Sequence, residues 1–229
     1  LDIFIWLGSL GVLKRTEVQS SMNLAILYYV YDPMCSWCWG YRQTWLGLQS
    51  KLQVDFPELN IEYRLGGLAP DSDEPMPEEM QQFLVQTWSK IALQLGTAFN
   101  FDFWQQCKPR RSTYPACRAA LLARESGLEK EMLLAIQQAY YLEAKNPSDD
   151  ATLVELANKL GLDSTQFAIA LNSDETRAML EGELNRTRHL PIQGFPSLVL
   201  LVNGELYSIE IDYQNNQSSY QQIAALLGE

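Results

Sequence analysis

Imidazole, cysteine and positive charge are all scarce in this chain of 229 residues, which has one histidine, four cysteines and 17 lysines plus arginines against 28 acidic residues. The formal charge of -11 opposes a phosphate-neutralising surface, so nucleic acid is excluded as a natural partner. A single His189 leaves zinc chemistry short of ligands, and Cys107 and Cys117 stand at a spacing that fits no common zinc pattern. Neither a G-x-G-x-x-G turn nor a Walker loop occurs, and no G-x-S-x-G or H-E-x-x-H pattern accompanies His189, which reads as structural. No apolar run approaches the roughly 20 residues that a bilayer-spanning helix needs. The opening LDIFIWLGSLGVL is too short, and its charges, Lys14 and Arg15, follow the run where a secretory signal would place them before it. No membrane partner is expected. Residues 1–21 are left as an unassigned N-terminal extension, and a cytoplasmic location is the default. There, structural disulfides are rare and paired cysteines tend to be catalytic, redox-sensing or metal-binding.

What is present is a core-forming composition, 47% hydrophobic, with a clear change of period along the chain. LAILYYVY, residues 24–31, reads as a buried strand stopped by Asp32-Pro33. From Cys38 to Leu52 the apolar residues recur at helical spacing, and LNIEYRL, 59–65, alternates as a second strand before Gly66-Gly67. LAPDSDEPMPEE, 68–79, is a linker. The pattern is then helical from about 77 to 188, with helices expected near 77–95, from Ser112-Thr113 and Pro115, and over 128–144, 149–160, 163–171 and 173–188. Ser148, Asp163 and Ser173 are the expected N-caps, and Gly127 and Gly161 the stops. SLVLLV (197–202), Asn203-Gly204 and ELYSIEI (205–211) form a strong hairpin signal, followed by a helix at about 216–227. The order predicts an α/β protein in which a sheet built from both chain ends, 22–67 and 191–229, closes around an inserted helical domain, 68–190.

The sharpest chemical signal is Cys35-Ser36-Trp37-Cys38, a C-x-x-C at a strand-to-helix junction. Free N–H groups and the helix dipole would favour a thiolate at Cys35, the expected nucleophile and most acidic thiol. Cys38, inside the first turn, is the resolving thiol, able to attack a mixed disulfide at Cys35 from within. Buried structural thiols or half a zinc site are the plainer alternatives. Gly194-Phe195-Pro196-Ser197, just before the apolar strand, is the second signal, although a trans proline is favoured by base rate. Weaker candidates are Asp32, which could assist proton transfer at Cys38 but more simply forms a turn with Pro33, and Cys107 with Cys117, as a second disulfide, a redox relay or, more simply, free and partly buried thiols. Trp37 and Trp39 could present an apolar face, Trp39 more simply packing in the core, and Arg110-Arg111 is too small a cluster to offset the acidity.

Taken together, the strand-helix C-x-x-C, the helical insertion and the G-F-P-S segment leading into a hairpin resemble the DsbA-like thioredoxin family, and YDPMCSWCWG is similar to its FrnE-like branch. The resemblance runs from Leu24 to Gly228. It implies a thioredoxin-like fold with a large all-helical insertion and thiol-disulfide oxidoreductase activity without an organic or metal cofactor. It also implies that Pro196 is a cis-proline facing Cys35, and that Phe195 offers backbone groups to the substrate, with Gly194, Ser36 and Trp37 beside it. Substrates would be protein or small-thiol disulfides, including glutathione. Ser36-Trp37 departs from the Pro-His of the strongly oxidising type, which places the expected potential between about -270 and -120 mV. A kappa-type glutathione-dependent isomerase or transferase, a type that often has serine for the first cysteine, and a non-catalytic thioredoxin-fold adaptor are the alternatives.

Overall fold

In the computed structural model, which describes residues 25–228, the first apolar run becomes β1 (Ile26–Tyr31), a strand with four of its six side chains buried. After the Asp32-Pro33 turn comes α1 (Ser36–Asp55), then β2 (Asn60–Leu65), which pairs parallel to β1 as a strand-helix-strand unit must. The expected extension, residues 1–21, and the expected first strand residue, Leu24, lie outside the described residues. Seven helices follow: α2 (Glu78–Leu95), α3 (Phe103–Gln106), α4 (Tyr114–Glu125), α5 (Glu129–Tyr141), α6 (Asp150–Lys159), α7 (Ser164–Leu171) and α8 (Asp174–Thr187). The chain then returns as β3 (Ser197–Val202) and β4 (Glu205–Ile209) and ends on α9 (Gln217–Leu227). The sheet order is β2-β1-β3-β4, with β3 antiparallel to both β1 and β4. Asn203 and Gly204 both have positive φ, as the two-residue hairpin requires. The architecture is the expected α/β one, a thioredoxin-like sheet with a helical insertion between β2 and β3.

Several local expectations need correction. α1 begins two residues earlier than its apolar spacing suggests, because the Cys35 carbonyl already accepts the Trp39 N–H at 3.1 Å. The helix expected over 128–144 stops at Tyr141, and Ala144 has φ 51°. Asp163 and Ser173 cap α7 and α8 by accepting backbone N–H bonds, but Ser148 does not cap α6. Its hydroxyl is buried and donates to the Ser112 carbonyl at 2.7 Å, leaving Asp149 at the N-cap position. The segment from 96 to 113, between the two helices expected there, holds only the one-turn α3.

Two apolar cores form, and α4 belongs to both. Leu27, Tyr29 and Tyr31 of β1 pack with Tyr41, Trp45 and Leu48 of α1, and Cys117, Ala120 and Leu121 of α4 close the same cluster. Tyr29 stacks on Trp45 with ring centroids 4.4 Å apart. Ala116, Ala119 and Ala123, on another side of α4, join Trp88, Phe103, Tyr140 and Tyr141 in the second core, within the helical block. Small residues let helices approach closely on both sides of α4, so the helical block is packed directly on the layer that carries β1.

An ion cluster fixes α8 against β2. Glu183 is fully buried, and its carboxylate accepts from Arg124 at 3.1 Å, Arg186 at 2.9 Å, Arg64 at 3.3 Å and the Leu65 N–H at 3.4 Å. Burial pushes its pKa up, but the arginine charges, Arg124 foremost, outweigh that and hold it below its ordinary value of 4.5. A depressed carboxylate pKa stabilises the fold above the ordinary value, and the gain is lost as pH falls through the folded-state value. Glu183→Gln is expected to lower stability by about 3 kcal/mol at neutral pH, because it leaves the arginines facing a neutral amide. Urea unfolding should show that gap, and the gap should narrow below the ordinary value of 4.5. Equal midpoints for both proteins at neutral pH would refute the assignment.

Candidate active site

Cys35 is the N-cap residue of α1, with extended φ and ψ of -77° and 115°. That conformation turns the chain from β1 into the helix and leaves the thiol at the N-terminal end of α1, where it makes no cap bond to the first turn. Cys35 keeps 7% exposure at the floor of a groove, whereas Cys38, three residues into the helix, is fully buried behind it. Burial pushes the Cys38 thiol well above its ordinary value, and the neighbouring Cys35 thiol pushes it further. Across the groove the Phe195-Pro196 peptide bond is cis, and the Cys35 thiol donates to the Phe195 carbonyl at 3.4 Å. Ser36, Trp37, Gly194 and Phe195 line the groove with Cys35, and Pro196 is buried beside them. The fold therefore brings together two segments that lie 160 residues apart.

Gly66 explains how the Phe195 segment comes so close. A Cβ built at Gly66 would stand 2.0 Å from the Phe195 ring, so the end of β2 gives up a side chain to seat it. Gly66 was legible in the sequence as a strand end and not as a seat for a ring.

The helical block holds the C-x-x-C turn through two aromatic side chains. The Trp88 indole N–H of α2 donates to Ser36 Oγ at 3.0 Å, and the Tyr141 hydroxyl of α5 donates to the Met34 carbonyl at 2.8 Å. Trp88 is itself fully buried among Phe99, Phe103, Tyr140 and Tyr141. Ser36 lines the groove but is only 7% exposed, its oxygen taken by Trp88. Trp37 meets Tyr213 edge-on with centroids 5.0 Å apart, and Lys90 lies 5.6 Å above its ring. Trp39 packs, stacked on Tyr141, with its N–H on the Ala98 carbonyl.

Asp32 does more than shape a turn. Fully buried, its carboxylate accepts from the Met34 N–H at 2.8 Å, the Leu68 N–H at 2.7 Å, the Thr113 hydroxyl at 2.7 Å and the Cys117 thiol at 3.5 Å. Burial raises its pKa, and those four donors pull against the rise. With both oxygens so occupied, the carboxylate is committed to structure, and proton transfer at Cys38 finds no support in its contacts. Cys117, bonded to Asp32, and Cys107, whose thiol donates to the Ala144 carbonyl at 3.0 Å, are separate free thiols. Burial raises both pKa values. His189 is exposed past the end of α8, its ring against the Asn185 carbonyl and away from the groove. Arg110 and Arg111 part company, Arg110 to an ion pair with Asp149 at 2.8 Å and Arg111 to the groove.

No helix among the described residues is long and apolar enough to cross a membrane. Among solved structures, the chain is similar to a candidate protein disulfide isomerase from Nitrosomonas europaea, with a TM-score of 0.73 and 26% identity over 89% of this chain and 97% of that one. It is also similar to the cytosolic disulfide reductase DsbM from Pseudomonas aeruginosa, with a TM-score of 0.67 and 25% identity over 88% and 96%. Among curated proteins it resembles the ClpXP adapter protein SpxH of Bacillus subtilis, 24% identical over 75% of this chain, and it spans 56% of that relative's length. The DSBA-like thioredoxin domain matches residues 26–221, nearly the whole described chain with its sheet, insertion and C-x-x-C turn, and the chain belongs to that family.

Proposed function

We propose that the protein is a thiol-disulfide oxidoreductase that works through a mixed disulfide at Cys35, with Cys38 as the resolving thiol. The observation that carries this reading is the asymmetry of the pair: Cys35 at a helix N-cap on a groove, Cys38 fully buried behind it. In the reducing direction the Cys35 thiolate attacks one sulfur of the substrate disulfide, the S–S bond breaks, and the leaving thiolate takes a proton. Cys38 then loses its proton and attacks the Cys35 sulfur, releasing the second thiol. Two electrons pass to the substrate, and the protein pair is left as a disulfide. The Phe195 backbone beside Cys35 would align an extended substrate.

A cavity of about 630 Å³ in front of Cys35 has room for a small thiol such as glutathione as well as for a peptide segment. The similarity to DsbM, a cytosolic reductase also solved with glutathione, supports that partner and a cytoplasmic setting. Cys35 stands where kappa-type relatives often carry serine, and the likeness to 2-hydroxychromene-2-carboxylate isomerase, at 16% identity, is one of fold. The SpxH similarity favours a second reading, in which the same groove and helical block dock a partner protein without turnover.

Two sets of variants test the proposal. Cys35→Ser should bring disulfide turnover to background, and Cys38→Ser should retain the capture step and accumulate a mixed disulfide visible by intact mass. Activity surviving Cys35→Ser would refute the mechanism, and wild-type protein inert toward all disulfides would favour the docking reading. Because burial holds the Cys38 thiol protonated, decay of the wild-type mixed disulfide should quicken by about tenfold per pH unit across the neutral range. A pH-independent decay would show that Cys38 is not the attacking group. Trp88→Phe keeps the ring but leaves the buried Ser36 oxygen without its donor, at a cost of about 1–3 kcal/mol in stability. Single-turnover kinetics should show resolution by Cys38 slowed severalfold and capture at Cys35 little changed. An unaltered resolution rate would confine Trp88 to packing.

A further inference from the structure

The groove in front of Cys35 departs in charge from the rest of the chain. Seventeen residues line it, among them Arg111 and Arg188, and none is Asp or Glu, although acidic residues number 28 in the sequence. Of the other arginines among the described residues, Arg64, Arg110, Arg118, Arg124, Arg177 and Arg186 each have a carboxylate within 4 Å, and Arg42, away from this groove, does not. The two at the groove have no such partner among the described residues. Arg111 meets the Met80 sulfur at 3.5 Å, and Arg188 donates one bond to the Asn185 side chain at 2.8 Å. Both are exposed and keep unused N–H donors. They come from different walls, Arg111 from the segment before α4 and Arg188 from the C-cap of α8.

We infer that Arg111 and Arg188 make this groove select thiols and disulfides that carry carboxylates, small acidic peptides above all. The inference rests on the oxidoreductase reading of Cys35 and adds the charge of its substrate. A chain of formal charge -11 repels anions at long range, so an anionic substrate needs local positive charge near the reacting sulfur. Guanidinium groups meet carboxylates with paired, charge-assisted bonds. Phe83, which is 60% exposed at the groove, and Leu68 and Ile192 offer apolar surface to the uncharged part of such a peptide. Cys35 then attacks one sulfur of the peptide's disulfide, the S–S bond breaks and one peptide leaves as a thiol, while a peptide thiol reacts in the reverse sense with the Cys35-Cys38 disulfide.

The test uses three symmetrical disulfides, glutathione disulfide (anionic), bis(2-hydroxyethyl) disulfide (neutral) and cystamine (cationic), with single-turnover oxidation of the Cys35-Cys38 pair as readout. At low salt the wild-type protein should react about tenfold faster with glutathione disulfide than with cystamine, and salt should shrink that ratio. In the R111Q/R188Q variant the ratio should collapse to one or below while the rate with the neutral disulfide stays within about twofold, a sign that fold and thiols are intact. A ratio that the double substitution leaves unchanged overturns the inference, and the oxidoreductase reading survives as long as the disulfides react. If none reacts, that reading fails, and charge selection is judged by binding of S-methylglutathione, followed by tryptophan fluorescence. Binding weakened at least fivefold by R111Q/R188Q supports it, and equal or absent binding overturns it.

Discussion

The buried carboxylate of Asp32 is the contact on which the site depends. A carboxylate taken out of water is costly unless donors surround it. Here the donors come from three places: the turn itself through Met34, the exit of β2 through Leu68, and the start of α4 through Thr113 and Cys117. Hydrogen bonds to a charged group contribute about 1.5–3 kcal/mol each, so the four together can offset a penalty of several kcal/mol. The remaining rise in the Asp32 pKa shows that burial still has the upper hand. What the arrangement secures is geometry. The turn before Cys35, the end of β2 and the helical block cannot shift independently without leaving a donor or the carboxylate unsatisfied.

The helical insertion is thus part of the redox turn rather than an ornament beside it. Met34 belongs to the core of the helical block, Cys35 and Cys38 to that of the sheet, and α4 lines both. Trp88 and Tyr141 add hydrogen bonds to Ser36 and Met34 from that block, and both are packed so tightly by other aromatics that their donors have little freedom to turn away. A C-x-x-C turn held by its own backbone alone would be free to breathe. This one is gripped from outside.

How much of this was legible in sequence follows from the range of the interactions. The β1-turn-α1 junction, the Asn203-Gly204 hairpin and the caps at Asp163 and Ser173 are set by neighbours within a few residues, and periodicity and turn chemistry reveal them. The Phe195-Pro196 segment could be tied to Cys35 only by family resemblance, since local statistics favour trans. Asp32 looked like a turn former because two of its partners lie 81 and 85 residues away. Gly66, Trp88 and Tyr141 gave no local sign of their part in the site, for their partners too are distant in sequence. Ser148 misled for the same reason: a good capping residue was claimed by the carbonyl of Ser112, 36 positions earlier.

The chemical asymmetry of the two cysteines needs no special residue, only their places on one helix. At the N-cap the thiol lies at the floor of an open groove, where a bulky disulfide can approach. Three positions further on, the side chain has turned into the core beneath the turn, where a thiolate would be stranded and the thiol is retained. Two residues of spacing separate a groove-facing position from an anion-excluding one, yet leave the two thiols as direct neighbours. In the mechanism proposed above, capture at the groove would precede resolution from the core. Cys38 would still have to give up its proton, and would become a nucleophile only when a mixed disulfide stood in front of it as a target.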